Sequence, residues 1–166
     1  MRHPSESSPA GHQEDAISML VADHREVREL FDDFDRLIDD EAEDDERAML
    51  ASQICLLLII HATVEEEMFY PAARAALGGR QDLVDEALVE HEIAKALIAQ
   101  IIGMQGNEPL FDATVRVLGQ YVAHHVHEEE TEIFPKLRKT GLDLASIGHQ
   151  IATRKAELAD GFVAAA

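Results

Sequence analysis

The sequence predicts an all-α protein, an up-down-up-down four-helix bundle with an additional C-terminal helix. Three observations predict it. Apolar residues recur at spacings of three and four along most of the chain, and no stretch sustains the alternation of a half-buried strand. Four such stretches are joined by short links rich in Gly, Pro or acidic residues, the pattern of antiparallel neighbours. One segment also occurs twice: His61-Ala-Thr-Val-Glu65-Glu66-Glu67-Met-Phe-Tyr-Pro71 returns as His125-Val-His-Glu-Glu129-Glu130-Thr-Glu-Ile-Phe-Pro135. A chain of 166 residues suffices for one such domain and its core.

The elements follow in order. Met1 to Gly11 is rich in Ser, Pro and Gly and lacks the apolar stretch of a secretory signal, so 1–13 is expected to be a disordered tail. Helix one is expected from Asp15 to Ile38, with Ile17, Leu20, Val21, Val27, Phe31 and Phe34 on one stripe. An acidic loop, Asp39 to Asp45, follows. Helix two runs from about Asp44 to Leu77, with Ile54, Leu57, Leu58 and Met68 inward. Pro71 falls inside it and should kink it or begin a short separate turn. Gly78-Gly79 stops it. Helix three covers Gln81 to Met104, with Val84, Ala87, Leu88, Ile98 and Ile101 inward. Gly106-Asn107 marks the next turn, and Pro109 suits the start of helix four, which is expected to reach Arg138. Val115, Leu118 and Val122 face inward there. Beyond Thr140-Gly141 a fifth amphipathic segment, Asp143 to about Phe162, carries Leu144, Ile147, Ile151 and Leu158. It packs on the bundle or on a second subunit. The expected division is tail 1–13, bundle 14–140 and C-terminal helix 141–166.

The formal net charge is −19. That argues against nucleic acid, whose binding rests on Lys and Arg at phosphates, and against an anionic membrane surface. The longest apolar run is expected to be too short to cross a bilayer. Cys55 is the single cysteine, so no intrachain disulfide forms, and its apolar surroundings suit a small core residue. A reducing, cytoplasmic location is the default expectation.

The duplicated segment carries the chemistry. Upstream of its copies stand two more related pairs, Asp23-His24 and Glu90-His91. His24 and His91 sit on the apolar stripes of helices one and three. His61 follows Leu57 and Leu58, and His125 follows Tyr121 and Val122, by three and four residues. Residues four apart share a helix face, so Glu65 and Glu129 join their histidines on the inward side. Buried carboxylates are costly unless paired or bound to metal, and two together repel. Four His and two Glu in two equal halves therefore suit a pair of metal ions. The alternative is a duplication that kept only salt bridges. Imidazole and carboxylate without thiolate suit iron, zinc, manganese or copper.

The ligand order distinguishes two kinds of bundle. Ferritin-like sites use Glu-x-x-His at i, i+3. Here the order is His-x-x-x-Glu, doubled, each copy followed by an aromatic residue and Pro. With single histidines on the intervening helices, this pattern resembles the hemerythrin HHE cation-binding family over about Asp15 to Arg138. The resemblance implies that His24, His61, His91 and His125 are metal ligands and that Glu65 and Glu129 are bridging carboxylates. It implies a cofactor of two non-haem iron ions, oxo- or hydroxo-bridged. Oxygen-carrying hemerythrins have a second histidine one turn after the first on their third helix. Lys95 stands there in this chain. The chain is closer to bacterial hemerythrin-like proteins with an H-HxxxE-H-HxxxE pattern. That likeness implies reaction with hydrogen peroxide, O2 or NO, with catalase-like peroxide decomposition in redox stress as the most concrete expectation. Binding of O2 or NO, or iron and redox sensing without turnover, is the alternative; any protein partner is left open.

Three details stay open at this level. His124 and Glu128 also satisfy His-x-x-x-Glu, but His125 keeps the same distance to Pro135 as His61 keeps to Pro71. Tyr121 lies one turn before His125 and is the candidate catalytic residue. It either donates a hydrogen bond at the metals, ligates iron, or is an ordinary core tyrosine. Glu66 and Glu130 repeat too, but point about 100° away from the ligand face, and suit surface or outer acceptors.

Overall fold

The computed structural model of the chain describes residues 15–165. The tail expected at 1–13 lies outside them. Every regular element among the described residues is helical: α1 (Ala16–Asp39), α2 (Asp44–Val64), α3 (Tyr70–Leu77), α4 (Asp82–Gly103), α5 (Phe111–Glu128), α6 (Phe134–Leu137) and α7 (Leu144–Ala165). A π turn, Glu65–Phe69, joins α2 to α3, and another, Glu129–Ile133, joins α5 to α6. Each of these pairs is one continuous rod. The bundle thus has four rods, with α7 as the extra helix.

Local chemistry accounts for the ends. Asp15 caps α1 by accepting the Ser18 N–H at 2.8 Å. Asp44, Asp45 and Glu46 crowd the first turn of α2, where the helix dipole favours anions. Gly78 ends α3 with φ +56°, a left-handed conformation that glycine adopts freely. Helix four begins at Phe111 rather than at Pro109. The Glu108 carboxylate instead accepts the Gln105 N–H at 2.7 Å, which closes a turn ahead of the helix. At Gly106 the chain passes so close to α2 that a β-carbon would collide with the Asp44 carbonyl oxygen.

The two π turns replace the kink expected at Pro71. Proline has no N–H and its ring collides with the carbonyl four residues earlier. In both rods the helix widens one turn before the proline. The Tyr70 N–H then reaches back five residues to Glu65, and the Phe134 N–H to Glu129. Each π turn therefore opens on a glutamate of the duplicated motif.

α1 packs against α2 and α5, and α4 packs against the same two. This closes the ring of an up-down-up-down bundle. α7 lies along α1 and α2 and touches the first π turn. Ile147 and Ile151 are buried there, beside Leu20, Val64 and Phe69 in one apolar cluster. A second cluster fills the other end around Phe34, Ile54, Ile98, Phe111 and Leu118. Val21, expected on the inward stripe of α1, is 38 % exposed. The rod from Asp44 to Arg80 is 37 residues long, and an 18-residue stretch of it has a mean hydropathy of 1.7. By length and composition it could cross a bilayer, contrary to the expectation from apolar run length. Here it is a core rod, whose apolar side faces α1, α4 and α7.

Candidate metal centre

Between the two apolar clusters the rods carry a polar layer. α1 contributes His24, α2 His61, α4 His91 and α5 His125, none more than 8 % exposed. Glu65 and Glu129, the first residues of the π turns, are wholly buried in the same layer. The structure thus brings together all six residues expected from the duplicated motif. On α5 it is His125 and Glu129 that face inward; the side chain of His124 is 61 % exposed.

The four imidazoles are held alike. Each Nδ1–H donates to a carboxylate: His24 to Glu130 at 3.0 Å, His61 to Asp23 at 3.0 Å, His91 to Glu66 at 2.9 Å and His125 to Glu90 at 2.8 Å. The acidic residue before each α1 and α4 histidine therefore serves the histidine of the next rod. These bonds fix the rings and leave Nε2 of every ring aimed at the centre. His24 and His61 meet there Nε2 to Nε2 at 3.2 Å, and His91 and His125 at 3.1 Å. With Nδ1 carrying the proton, each pair brings two nitrogen lone pairs face to face. Only a cation relieves that contact, whether a proton or a metal ion.

The carboxylates span the two pairs. Glu65 Oε2 is 3.2 Å from His61 Nε2 and 3.3 Å from His91 Nε2. Glu129 Oε2 is 3.3 Å from His24 Nε2 and 3.6 Å from His125 Nε2. Both oxygens of Glu65 and Oε2 of Glu129 are buried without any hydrogen bond. Orphaned anionic oxygens of this kind are rare in folded proteins and call for a partner. Ligands about 2.1 Å from one ion sit about 3.4 Å apart in tetrahedral geometry, close to these separations. The donor set fits metal cations in two overlapping groups, His24, His61, Glu65 and Glu129, and Glu65, His91 and His125.

Charge follows the same logic. Burial alone would lower the His61 pKa, but the Glu65 charge and the Asp23 hydrogen bond outweigh it and lift it to about 10. His125 is likewise raised against its burial, by the Glu90 hydrogen bond and the Glu129 charge. Burial would raise the Glu65 carboxyl, yet the His61 charge 3.2 Å away holds it well below the usual range. In the metal-free protein these pairs stabilise the fold most between about pH 4.3 and about pH 6.5; the Glu65 share is lost as pH falls below that window and the His61 share as pH rises towards 10. Metal binding must displace the same protons. We therefore expect opposite slopes between pH 6.5 and 9: the metal-free melting temperature falls as pH rises, while metal affinity increases. Parallel slopes in melts of metal-free protein and in metal titrations would contradict this assignment of protons.

One functional residue was not foreseen. Tyr70 is buried, and its hydroxyl donates to Glu129 Oε1 at 2.8 Å, 3.2 Å from His91 Nε2. Burial and the Glu129 charge push its pKa well above the ordinary value. On a regular α-helix Tyr70 would lie about 140° round from Glu65; the π turn swings it inward. The available signal was the aromatic-Pro pair itself. Its counterpart Phe134 lies parallel to the His24 ring, 5.9 Å away, without a hydroxyl. Tyr121, the tyrosine singled out from the sequence, is 43 % exposed. It stands at the wall of a cavity against the four histidines, with Val27, Leu58, Ala94, Ile98 and Lys95. We expect Tyr70→Phe to keep its metals but shift the visible spectrum of the iron-loaded protein, because Glu129 Oε1 loses its donor, a loss worth about 1–3 kcal/mol. Tyr121→Phe should shift it less; the reverse ranking would return the role to Tyr121.

Comparison with known proteins agrees with the geometry. The family described as Hemerythrin HHE cation binding domain matches residues 15–137. The crystal structure of a hemerythrin HHE cation binding domain-containing protein from Mycobacterium kansasii shares the fold. Its TM-score is 0.70 at 22 % identity, over 87 % of each chain. A protein of Nostoc sp. described as a DNA nickase is 33 % identical over 127 residues. That match covers 75 % of this chain but 33 % of the Nostoc protein, so the chain spans about a third of that relative. A family match over most of the bundle, on a layer whose orphaned carboxylates require cations, leads to one conclusion: this chain belongs to the hemerythrin HHE cation-binding family.

Proposed function

We propose that the chain holds two non-haem iron ions and decomposes hydrogen peroxide in a catalase-like reaction, in a reducing cytoplasm under redox stress. In this reading His24 and His61 would hold one ion and His91 and His125 the other, with Glu65 and Glu129 as carboxylate ligands shared between them. Bound iron would supply two-electron cycling between di-ferrous and di-ferric states, enough to oxidise one peroxide and reduce a second. The rest is the work of the chain. The Nδ1-bound carboxylates keep the four rings oriented, and the Tyr70 hydroxyl holds a proton at Glu129. Val27, Leu58, Ala94 and Ile98 keep bulk water from the centre.

The observation that carries the reading is the cavity over the histidines. The space open to centres of water-sized molecules is about 40 Å³, enough for a few such molecules. It has room for peroxide, O2 or NO. Four protein histidines also leave exchangeable positions that a fifth would fill, and Lys95 turns instead to Glu66 at 3.2 Å. The test is oxygen evolution from hydrogen peroxide by iron-verified protein, with His61→Ala as control. We expect many turnovers per chain, lost in the control. A stable, reversible oxy spectrum without oxygen evolution would favour a binding role.

A sensing role has one observation in its favour. Lys155 of α7 pairs with Asp23, which holds His61, and Arg154 grips Glu67 in the first π turn at 2.8 Å. A change at His61 is two contacts from α7. Hydrogen exchange of α7 that is identical in the reduced and oxidised protein would dismiss this reading.

A further inference from the structure

The four carboxylates that hold the histidines are not treated alike from outside. Glu130 is met by Arg28 at 3.0 Å, Glu66 by Lys95 at 3.2 Å, and Asp23 by Lys155. Three of the four thus end in a Lys or Arg at the surface. Among the described residues Glu90 meets none. Its outer oxygen faces His124 Nε2 at 3.5 Å, and Glu128 faces the same nitrogen at 3.4 Å. Where the other three positions have a fixed cation, this one presents two carboxylates and an imidazole.

The ligand atoms of Glu90, His124 and Glu128 all lie within 4.8 Å of one another. Two carboxylates and one histidine form a donor set for a borderline divalent metal, and the open side leaves room for water. A second observation points inward from the same place. Glu90 and Glu128 line a cleft between α4 and α5, with Glu86 and Glu132 on its rim. The floor of that cleft is His125 and Glu129, both buried, and Glu129 reaches on to the inner centre, where its Oε2 lies 3.3 Å from His24 Nε2. Glu90 joins the two levels, since its other oxygen accepts from His125 Nδ1 at 2.8 Å.

We propose that Glu90, His124 and Glu128 form a third, outer site for a divalent transition-metal cation, and that this site passes ions down the acidic cleft to Glu129 and the inner pair. The outer site is weaker than the inner one, because its ligands are half-exposed and its three donors leave the ion mostly hydrated. The proposal rests on the inner pair holding metal, so its test reads the two levels separately.

Full-length protein is first loaded with Fe2+, dialysed and its metal content measured; that value reports on the inner pair alone. Zn2+ is then titrated into the loaded protein, followed by calorimetry. One further Zn2+ per chain is expected in the wild type, and none in His124→Ala/Glu128→Gln, a variant that leaves all six inner residues and Glu90 in place. In a second measurement, Fe2+ uptake by metal-free protein is followed in time. The variant should fill several-fold more slowly yet reach the same content. A loaded wild type that takes up no Zn2+, a variant that takes up as much as the wild type, or equal rates of iron uptake would overturn the proposal. A dialysed protein with no iron at all would instead refute the reading of the inner pair.

Discussion

Glu65→Ala is expected to empty both halves of the centre, reducing bound metal from about two ions per chain to fewer than one. The reason is geometric. Glu65 Oε2 stands within 3.3 Å of a histidine from each pair, and both its oxygens are buried without a hydrogen bond. Its removal leaves each ion short of an anionic ligand. Four imidazoles would then face two cations with Glu129 as the only buried counter-charge, an expensive arrangement in a protein interior. Glu129→Ala should act similarly, though its Oε1 already serves Tyr70. His124→Ala should leave the inner content nearly unchanged. Metal analysis of the purified variants decides it, and a Glu65→Ala protein that retains one full equivalent would show that the carboxylates do not bridge.

Filling the cavity should have the second largest effect. Ala94 lines the space above the four histidines and is none of the six candidate ligands. Ala94→Leu adds three carbons to a space of about 40 Å³ open to water-sized centres. We expect peroxide turnover to fall at least tenfold while metal content stays at the wild-type value. The fold should tolerate the change at a cost of about 1–3 kcal/mol. Undiminished turnover in a metal-replete Ala94→Leu protein would mean that peroxide reaches the centre by another route.

The bundle and its six inward donors were legible because α-helical phase carries them. His24, His91 and the two His-x-x-x-Glu pairs lie on apolar stripes of period 3.6, and the phase from His61 to Glu65 is undisturbed. Legibility ends where that phase ends. The π turns begin at Glu65 and Glu129, and every residue after them is rotated from its α-helical position. Tyr70 was lost for that reason, while Tyr121, still in regular helix, looked nearer the centre than its 43 % exposure shows. The outer carboxylates were half legible. Their repeat was visible, but which histidine each one serves depends on the packing of neighbouring rods. The destination of α7 was undecidable from its amphipathic stripe, which fits any apolar surface.

The widened turns place a different kind of restriction on how this chain can vary. Between each glutamate and its proline stand five residues, and the two copies share only the first of them, Glu66 and Glu130. The side chains at the other four places differ between the copies, as far as Tyr in one and Phe in the other. Their number does not. Deleting one residue would restore an ordinary turn, swing the aromatic ring off the centre and drive the proline ring into a carbonyl. Inserting one would rotate α3 or α6 out of the apolar cluster. Substitutions at the exposed positions of this stretch, Glu67, Thr131 and Glu132, should therefore accumulate among natural variants, while a change of length in either copy should go with loss of the centre.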